Sequence, residues 1–316
     1  MTEAADLNLP AKPFKVLSLD GGGAKGFYSL GVLKEIEGLV QRRLHEEFDL
    51  IYGTSTGAII AALLALGKSV DEIHGLYKQH VPKIMQGKTA SEKSSALGQL
   101  ADTIFKDAKF DAVKTRLGIV TTKWIIERPM IFKSLVDQAH GRVGTFEIGF
   151  GVTISDAVQA SCSAYPFFER KIVTTASEDT VELVDGGYCA NNPTLYAIAD
   201  ATGPLAKPAD ALRVISVGVG VYPEPRKNVF SKMYWAKYLQ SVQLLQKTLE
   251  INTQSMDQLR AILFNHVPTV RISDTFEKPE MATDLFENDL GKLNILRQRG
   301  AESYALRESD VKKLLL

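Results

Sequence analysis

Two consecutive strand–turn–helix units near the start of the chain limit its fold most strongly. The apolar segment KVLSLD (Lys15–Asp20) predicts a buried strand, which is followed by the turn GGGAKG and an amphipathic helix from about Phe27 to Leu44. FDLIYG (Phe48–Gly53) predicts the next strand, and GAIIAALLALG (Gly57–Gly67) a strongly apolar helix. Strands that alternate with helices in this order are typical of a parallel sheet covered by helices. We therefore expect an α/β fold with a mainly parallel central sheet and helices on both faces.

The rest of the chain continues the alternation of strands and helices. The segment from about Val70 to Gly144 is predicted to be helical, with an exposed loop at Gln86–Ser95. The later predicted elements are a capped helix in SDAVQASCSAYPFF (Ser155–Phe168), a strand in TVELVDGG (Thr180–Gly187), a helix in NNPTLYAIADA (Asn191–Ala201), a strand in LRVISVGVG (Leu212–Gly220) and helices at Met233–Leu263 and Leu290–Ala305. No linker-like segment divides the chain. We expect a polar segment at residues 1–13 and one α/β domain at 14–316, with core motifs in 16–199 and a helical part in 200–316.

Composition excludes several classes of function. The 316 residues contain 37 basic and 37 acidic side chains, so no net charge attracts a nucleic-acid polymer. Only two cysteines are present, which indicates neither a disulfide framework nor a zinc site, and no calcium-binding loop is found. The sequence therefore predicts no metal and no cofactor. The start lacks a signal-peptide pattern and the longest apolar run has nine residues, so we expect a cytoplasmic protein.

The segment GTSTG (Gly53–Gly57) is a candidate nucleophile turn. It fits G-x-S-x-G between a predicted strand and a helix, where a sharp turn lifts a serine Oγ above the sheet. Ser55 is then the candidate nucleophile, and Gly53 and Gly57 leave room for the tight backbone. A strand–helix turn with a helix-capping serine is the alternative interpretation.

The segment DGGGAKG (Asp20–Gly26) has two interpretations. Successive glycines expose main-chain N–H groups at a helix N-terminus, which suits an oxyanion hole. Gly21, Gly23 and Gly26 also satisfy G-x-G-x-x-G, the fingerprint of dinucleotide-dependent oxidoreductases. The acidic residues that would bind a ribose, Glu46, Glu47 and Asp49, come before the second strand instead of ending it, which counts against a dinucleotide. Lys25 adds a positive charge or is a solvated surface residue.

The segment DGG (Asp185–Gly187) supplies a candidate base. We expect Asp185 at the carboxyl end of a parallel strand, the edge at which such sheets hold their sites. A turn-forming Asp-Gly pair is the alternative. His266 is the only histidine that follows Asp185, so a Ser–His–Asp triad has little support. A Ser–Asp dyad requires no histidine.

Together, DGGGAKG, GTSTG and DGG followed by NNP (Asn191–Pro193) resemble the patatin-like phospholipases over about Val16 to Ala199. The resemblance implies a three-layer α/β fold, Ser55 as nucleophile and Asp185 as general base. It assigns the oxyanion N–H groups to Gly21, Gly22, Gly23 and Ala24, with motif support from Lys25, Gly26, Gly53, Gly57, Gly186 and Gly187. The chain departs from the family in Lys25, where arginine is usual, and in Gly187, where alanine is also common.

The resemblance also implies a substrate and a form of control. The substrate is an acyl ester of a membrane phospholipid, reached across an apolar rim for which Ala164–Phe168 and Met233–Tyr238 are candidates, although both segments also suit the core. The chain further resembles the phospholipase effectors of cyclic-nucleotide antiphage defence. That resemblance implies a cyclic-nucleotide activator, with a pocket outside the catalytic motifs and in the C-terminal third. A dinucleotide-dependent oxidoreductase and a catalytically idle binding module are the alternatives.

Overall fold

The computed structural model describes residues 12–141, 143–223 and 233–316, and within these ranges the chain forms one mixed eight-stranded sheet flanked by helices. The strands are β1 (Phe14–Leu19), β2 (Leu50–Thr54), β3 (Arg116–Lys123), β4 (Arg128–Lys133), β5 (Lys171–Thr174), β6 (Thr180–Asp185), β7 (Leu212–Val217) and β8 (Thr269–Ile272). The helices are α1 (Gly26–Val40), α2 (Leu44–Glu47), α3 (Thr56–Ala65), α4 (Val70–Met85), α5 (Ala90–Phe105), α6 (Ile154–Ser161), α7 (Gly187–Ala190), α8 (Thr194–Thr202), α9 (Met233–Leu263), α10 (Leu290–Ala305) and α11 (Glu308–Leu315). In these ranges no helix combines the length and the apolar character needed to cross a bilayer.

The sheet is parallel in one part and antiparallel in the other. Its order is β5-β6-β3-β2-β1-β7-β8, with β4 paired to β3. The pairs β1–β2, β1–β7, β2–β3 and β7–β8 are parallel, whereas β3–β4, β3–β6 and β5–β6 are antiparallel. The predicted parallel arrangement therefore holds for β1, β2, β3, β7 and β8, and the remaining strands make the sheet mixed.

Alternate side chains of the central strands enter two separate cores. In β1, Phe14 and Val16 pack into one core, whereas Leu17 and Leu19 pack into the other. The period of two that strands impose on side-chain direction produces this division. Helix α8 covers one core, while α1, α3 and α10 contribute to the other. The three-layer α/β fold predicted from the sequence is confirmed.

Strands β2 and β6 meet end to end beside β3. Thr54, the last residue of β2, pairs with Val120 of β3. Asp185, the last residue of β6, pairs with Thr121, the next residue of β3. Since β4 occupies the other side of β3 at both positions, β2 and β6 approach each other along the same side. This topology brings the two chain segments that follow Thr54 and Asp185 together.

Two predictions for the segment from Val70 to Gly144 are wrong. The helices α4 and α5 are present, but the segment also contributes the antiparallel pair β3–β4. The residues of β3 form a strand because they pair with β2 and β6, which are distant in the sequence. The predicted loop at Gln86–Ser95 is shorter, because α5 begins at Ala90. There Thr89 Oγ1 accepts a hydrogen bond from the Glu92 N–H (3.1 Å), which caps the helix.

Candidate active site

Ser55 occupies a strained turn between β2 and α3. Its backbone has φ 53° and ψ −123°, an unusual combination for a residue other than glycine. The Ser55 N–H donates to Ser161 Oγ (2.9 Å), and Ser161 Oγ donates to the Val120 carbonyl (2.6 Å). A Cβ at Gly57 would lie 2.3 Å from the Leu19 carbonyl oxygen, so only glycine permits α3 to start this close to β1. These contacts hold the serine at the carboxyl edge of the parallel strands.

The structure places Ser55 and Asp185 in direct contact. Ser55 Oγ donates to Asp185 Oδ2 at 2.7 Å, and the Gly187 N–H donates to Asp185 Oδ1 at 2.7 Å. Asp185 was expected at the end of a parallel strand, and this expectation is wrong, because β6 runs antiparallel to β3. The residue nevertheless reaches the predicted edge because β6 arrives there from the direction opposite to β2. Gly186 and Gly187 form the turn that leads into α7.

Burial changes the acidity of Asp185. The side chain is buried beneath the turn, and removal from water raises the pKa of its carboxyl to about 7. The hydrogen bonds from Gly187 and Ser55 favour the charged form and oppose the effect of burial. An aspartate with an ordinary pKa would be a poor base for a serine hydroxyl. A carboxyl with a pKa near neutrality is well matched to proton transfer at physiological pH.

The glycine loop after β1 offers two free donors to the site. The Gly21 N–H donates to the Asn191 carbonyl (2.9 Å) and the Ala24 N–H to the Leu285 carbonyl (3.0 Å). Within the described residues, the N–H groups of Gly22 and Gly23 have no acceptor, and both glycines line the cleft beside Ser55. Of the four predicted oxyanion donors, the N–H groups of Gly21 and Ala24 therefore already donate to main-chain carbonyl groups, and those of Gly22 and Gly23 are available to an oxyanion. Gly26 follows the loop as the first residue of α1.

Lys25 is buried, so the interpretation of a solvated surface residue is wrong. Its ammonium group lies 3.3 Å from Glu250 Oε1 of α9 and over the ring of Tyr222. Burial lowers the pKa of Lys25, and the neighbouring Glu250 carboxylate raises it. Lys25 therefore links the glycine loop to the long helix α9.

Arg271 is a positioning residue that no sequence motif indicates. Its guanidinium group pairs with both carboxylate oxygens of Asp20, the residue that precedes the glycine loop, at 2.9 and 2.5 Å. Burial raises the pKa of Asp20, and the Arg271 charge lowers it. Arg271 is on β8, 251 residues further along the chain, and no motif surrounds it. The pair fixes the orientation of the loop relative to the sheet.

An apolar cleft opens from the Ser55–Asp185 pair. It has a volume of about 770 Å³ including its open mouth, and Ile59, Leu63, Leu97, Leu100 and Phe286 are among its lining residues. Such walls suit an extended acyl chain better than a polar head group.

The two segments predicted as an apolar rim have different outcomes. Phe167 and Phe168 of the first segment are buried, and Ala164 and Phe168 line the cleft wall. The side chains of the second, Met233–Tyr238, lie outside the described residues, although the backbone there is helical.

The residues required by the alternatives lie elsewhere. The Lys15 N–H donates to Asp49, and the Lys15 ammonium group pairs with Glu47, at the amino ends of β1 and β2. This edge is opposite to the glycine loop, so these acids cannot bind a ribose next to it. His266 is exposed and precedes β8, away from Ser55. The pair of Ser55 and Asp185 includes no histidine.

Comparison with known proteins identifies the family of the chain. The family model described as "Patatin-like phospholipase" matches residues 17–198, which span the glycine loop, the serine turn and the DGG turn. The chain belongs to the patatin-like phospholipase family, and it is a hydrolase that acts on carboxylic ester bonds, as the sequence predicted.

Individual relatives give further detail. The chain is 63% identical over 302 residues to a cUMP-AMP-activated phospholipase of Escherichia coli, and the match covers 96% of this chain and 94% of that protein. It is 28% identical over 217 residues to a cGAMP-activated phospholipase of Pseudomonas aeruginosa, with 65% of this chain and 62% of that protein covered. Among solved structures, VipD from Legionella pneumophila gives a TM-score of 0.48 at 12% identity, and the match covers 96% of this chain and 67% of VipD.

Proposed function

We propose that the protein cleaves acyl esters of membrane phospholipids through a Ser55–Asp185 dyad and an acyl-enzyme. The observation that carries the proposal is the 2.7 Å hydrogen bond between Ser55 Oγ and Asp185, two residues that line the apolar cleft. The free N–H groups of Gly22 and Gly23 complete the set of groups that ester hydrolysis requires: a nucleophile, a base and an oxyanion site.

In the first half of the reaction, Ser55 Oγ attacks the ester carbonyl carbon while its proton passes to Asp185. The negative charge that forms on the carbonyl oxygen is stabilised by the N–H groups of Gly22 and Gly23. Collapse of the tetrahedral intermediate breaks the bond to the alcohol, which takes the proton from Asp185 and leaves as a lysophospholipid. The acyl chain remains bound to Ser55 in the apolar cleft.

In the second half, water takes the position of the departed alcohol. Asp185, again charged, accepts a proton from the water as its oxygen attacks the acyl carbonyl. The second intermediate collapses to release the fatty acid, and the proton on Asp185 returns to Ser55 Oγ. Each step uses the carboxylate as a base and then as an acid, which a pKa of about 7 permits near neutral pH.

This role of Asp185 predicts the pH dependence of the reaction. Because the base must be charged, kcat/KM for a soluble ester is expected to rise about tenfold per pH unit below pH 7 and to level off above it. The measurement is initial rates with a short-chain p-nitrophenyl ester between pH 5 and 9. A rate that stays constant between pH 5 and 8 would contradict the assignment of Asp185 as the base.

The glycine loop predicts a second effect. In Gly23→Ala, the new Cβ would lie 2.5 Å from the Leu285 carbonyl oxygen at a residue with φ +56°, so the loop must move. Loss of one oxyanion donor typically lowers kcat by about 10²–10³-fold, and we expect a loss in this range. The control is Gly38→Ala in α1, where a Cβ meets nothing within 4 Å. Equal activity of the two variants would exclude the loop from catalysis.

We further propose that a cyclic nucleotide, cUMP-AMP first among the candidates, activates the enzyme so that it degrades membrane in antiphage defence. The proposal is supported by the activator named for the relative that is 63% identical. The enzyme would then act from the cytoplasm in transient contact with the membrane.

The contacts of α9 offer a route from an activator to the site. Glu250 pairs with Lys25 of the glycine loop, Asn252 Oδ1 accepts a hydrogen bond from the Asn191 N–H (2.9 Å), and Leu249 lines the catalytic cleft. A small displacement of α9 would therefore reach both the glycine loop and Asn191, which ends the short helix α7 that follows Asp185. Helix α9 belongs to the C-terminal third, the part of the chain in which a nucleotide pocket is expected, and it contacts the glycine loop directly.

Fatty-acid release from mixed phospholipid vesicles tests the proposed function. We expect release by the wild type to depend on cUMP-AMP and to respond weakly or not at all to 3′,3′-cGAMP and cyclic di-AMP. Calorimetric binding of each nucleotide to Ser55→Ala separates binding from turnover. Equal release with and without every nucleotide would contradict activation, and no release under any condition would contradict phospholipid as the substrate.

A further inference from the structure

We propose that the tip of the β3–β4 hairpin, residues Lys123–Arg128, inserts into the interface of a phospholipid bilayer and directs the cleft toward the lipid. This inference rests on the proposed function, because it assigns how the enzyme reaches its substrate. We call these six residues the hairpin tip.

The hairpin tip exposes a continuous apolar surface. Trp124, Ile125 and Ile126 are 39%, 76% and 54% exposed, and Ile172 of β5, which β6 separates from β3, is 62% exposed. Single exposed apolar residues are ordinary, but adjacent large ones on a projecting turn are typical of an interaction surface. Met130 and Phe132, further along β4, are buried. The hairpin therefore already contributes apolar side chains to the core, and the exposed residues of the tip are additional to these.

The hairpin tip lies at the same edge of the sheet as the catalytic pair. Thr121 is opposite Asp185 in the ladder, and Trp124, three residues further on, donates its N–H to the Glu182 carbonyl (2.9 Å). The Trp124 ring lies 5.3 Å from the ring of Tyr165. Tyr165 follows Ala164, which lines the cleft. A bilayer that receives the tip would therefore face the same edge of the molecule as the cleft.

The charges around the hairpin tip suit phospholipid head groups. Lys123 and Arg128 flank the apolar residues, and neither forms a salt bridge within the described residues. The Arg170 guanidinium lies over the rings of Trp124 and Tyr165, at 5.4 and 5.1 Å, and pairs with Glu182.

Acids also lie at this surface, so the match to lipid rests on the apolar side chains and on the cations placed directly beside them. Glu127 and Glu169 are exposed there, and Lys171 is paired with Asp156. Tryptophan and basic residues with apolar stems prefer the zone between lipid tails and phosphates. Two free cations beside three apolar side chains therefore match a layer of phosphates above acyl chains.

The test compares the double variant Ile125→Asp/Ile126→Asp with Leu316→Asp. Leu316 is 81% exposed at the opposite edge of the sheet, next to Leu315, whose carbonyl binds Lys15, so it is a matched control. The probe is a vesicle of phosphatidylethanolamine and phosphatidylglycerol, with binding measured by flotation. Hydrolysis of the same vesicles and of a soluble short-chain ester is measured in parallel, each with and without cUMP-AMP.

We expect the double variant to lose at least tenfold in vesicle binding and a similar factor in vesicle hydrolysis. Its activity on the soluble ester is expected to equal that of the wild type, which also shows that it folds. Leu316→Asp is expected to behave as the wild type in all three assays. Flotation measures vesicle binding without turnover, so its result is valid even if neither the wild type nor any variant hydrolyses phospholipid. Failure of the proposed function and failure of this inference are therefore distinguishable.

Undiminished flotation of the double variant would overturn the inference. A variant that keeps vesicle binding but changes its sedimentation coefficient would instead show that the hairpin tip is a contact between copies of the chain, which also overturns it. Equal losses on vesicles and on the soluble ester would indicate damage to the cleft and would likewise count against a docking role.

Discussion

Ser55→Ala is expected to reduce hydrolysis of phospholipid and of soluble esters by about 10⁴-fold or more, since removing the nucleophile of a serine hydrolase has effects of this size. The variant removes the atom that forms the acyl-enzyme and leaves the turn intact, because the Ser55 N–H still donates to Ser161. The measurement is kcat with vesicles and with a p-nitrophenyl ester, at saturating nucleotide.

The matched control for Ser55→Ala is Ser163→Ala. Ser163 is also a buried serine near the site, but its hydroxyl donates to the Gln159 carbonyl. We expect this variant to keep activity within a few-fold of the wild type. Activity that survives in Ser55→Ala would make the GTSTG segment an ordinary strand–helix turn, although not one with a capping serine, because the Ser55 side chain makes no cap hydrogen bond to α3.

Asp185→Asn is expected to lower kcat by about 10³-fold, because general base catalysis contributes about 10²–10⁴-fold. Asparagine has nearly the same shape, and its oxygen can still accept the Gly187 N–H, so only the base is lost. Asp179→Asn, an exposed position on the turn before β6, serves as the control and is expected to remain fully active. Full activity of Asp185→Asn would exclude Asp185 as the base.

The same variant is expected to be more stable than the wild type at high pH. The folded-state pKa of Asp185 is about 7, above the ordinary value of 3.8, so the folded protein holds this proton more tightly than the unfolded chain does. Wild-type stability therefore falls as the pH rises from about 4 to 7, a loss that asparagine does not share. Thermal unfolding should show a small difference in Tm at pH 5 and a clearly higher Tm for Asp185→Asn at pH 8. An equal difference at both pH values would contradict the effect of burial.

The central parallel strands and the Ser55–Asp185 pair could be predicted from the sequence because local motifs encode them. β1, β2 and the turns that follow them are short apolar runs ending in glycine, so strand, turn and site residue occur within a few positions. The serine turn can be recognised in the sequence without knowledge of the DGG turn, and the DGG turn without knowledge of the serine turn. The topology then joins them, since β2 and β6 end on the same side of β3.

The remaining features depend on contacts between distant parts of the chain. The segment of β3 was predicted as helical because its neighbours are helical, although Ile119, Val120 and Thr121 are β-branched residues that favour a strand. The antiparallel direction of β6 is set by pairing with β3, which no local pattern records. The burial of Lys25 against Glu250 and the pairing of Asp20 with Arg271 join residues more than 200 positions apart. By contrast, Thr89 followed by Glu92 is a local helix-start pattern that could have located α5.

The most direct test of the Ser55–Asp185 dyad is reaction with a fluorophosphonate probe, followed by intact-mass measurement and peptide mapping. We expect one adduct per chain, located on Ser55, with much slower labelling of Asp185→Asn and no labelling of Ser55→Ala. A folded wild type that takes up no probe, or an adduct on another residue that persists in Ser55→Ala, would contradict the dyad and favour a patatin fold used only for binding.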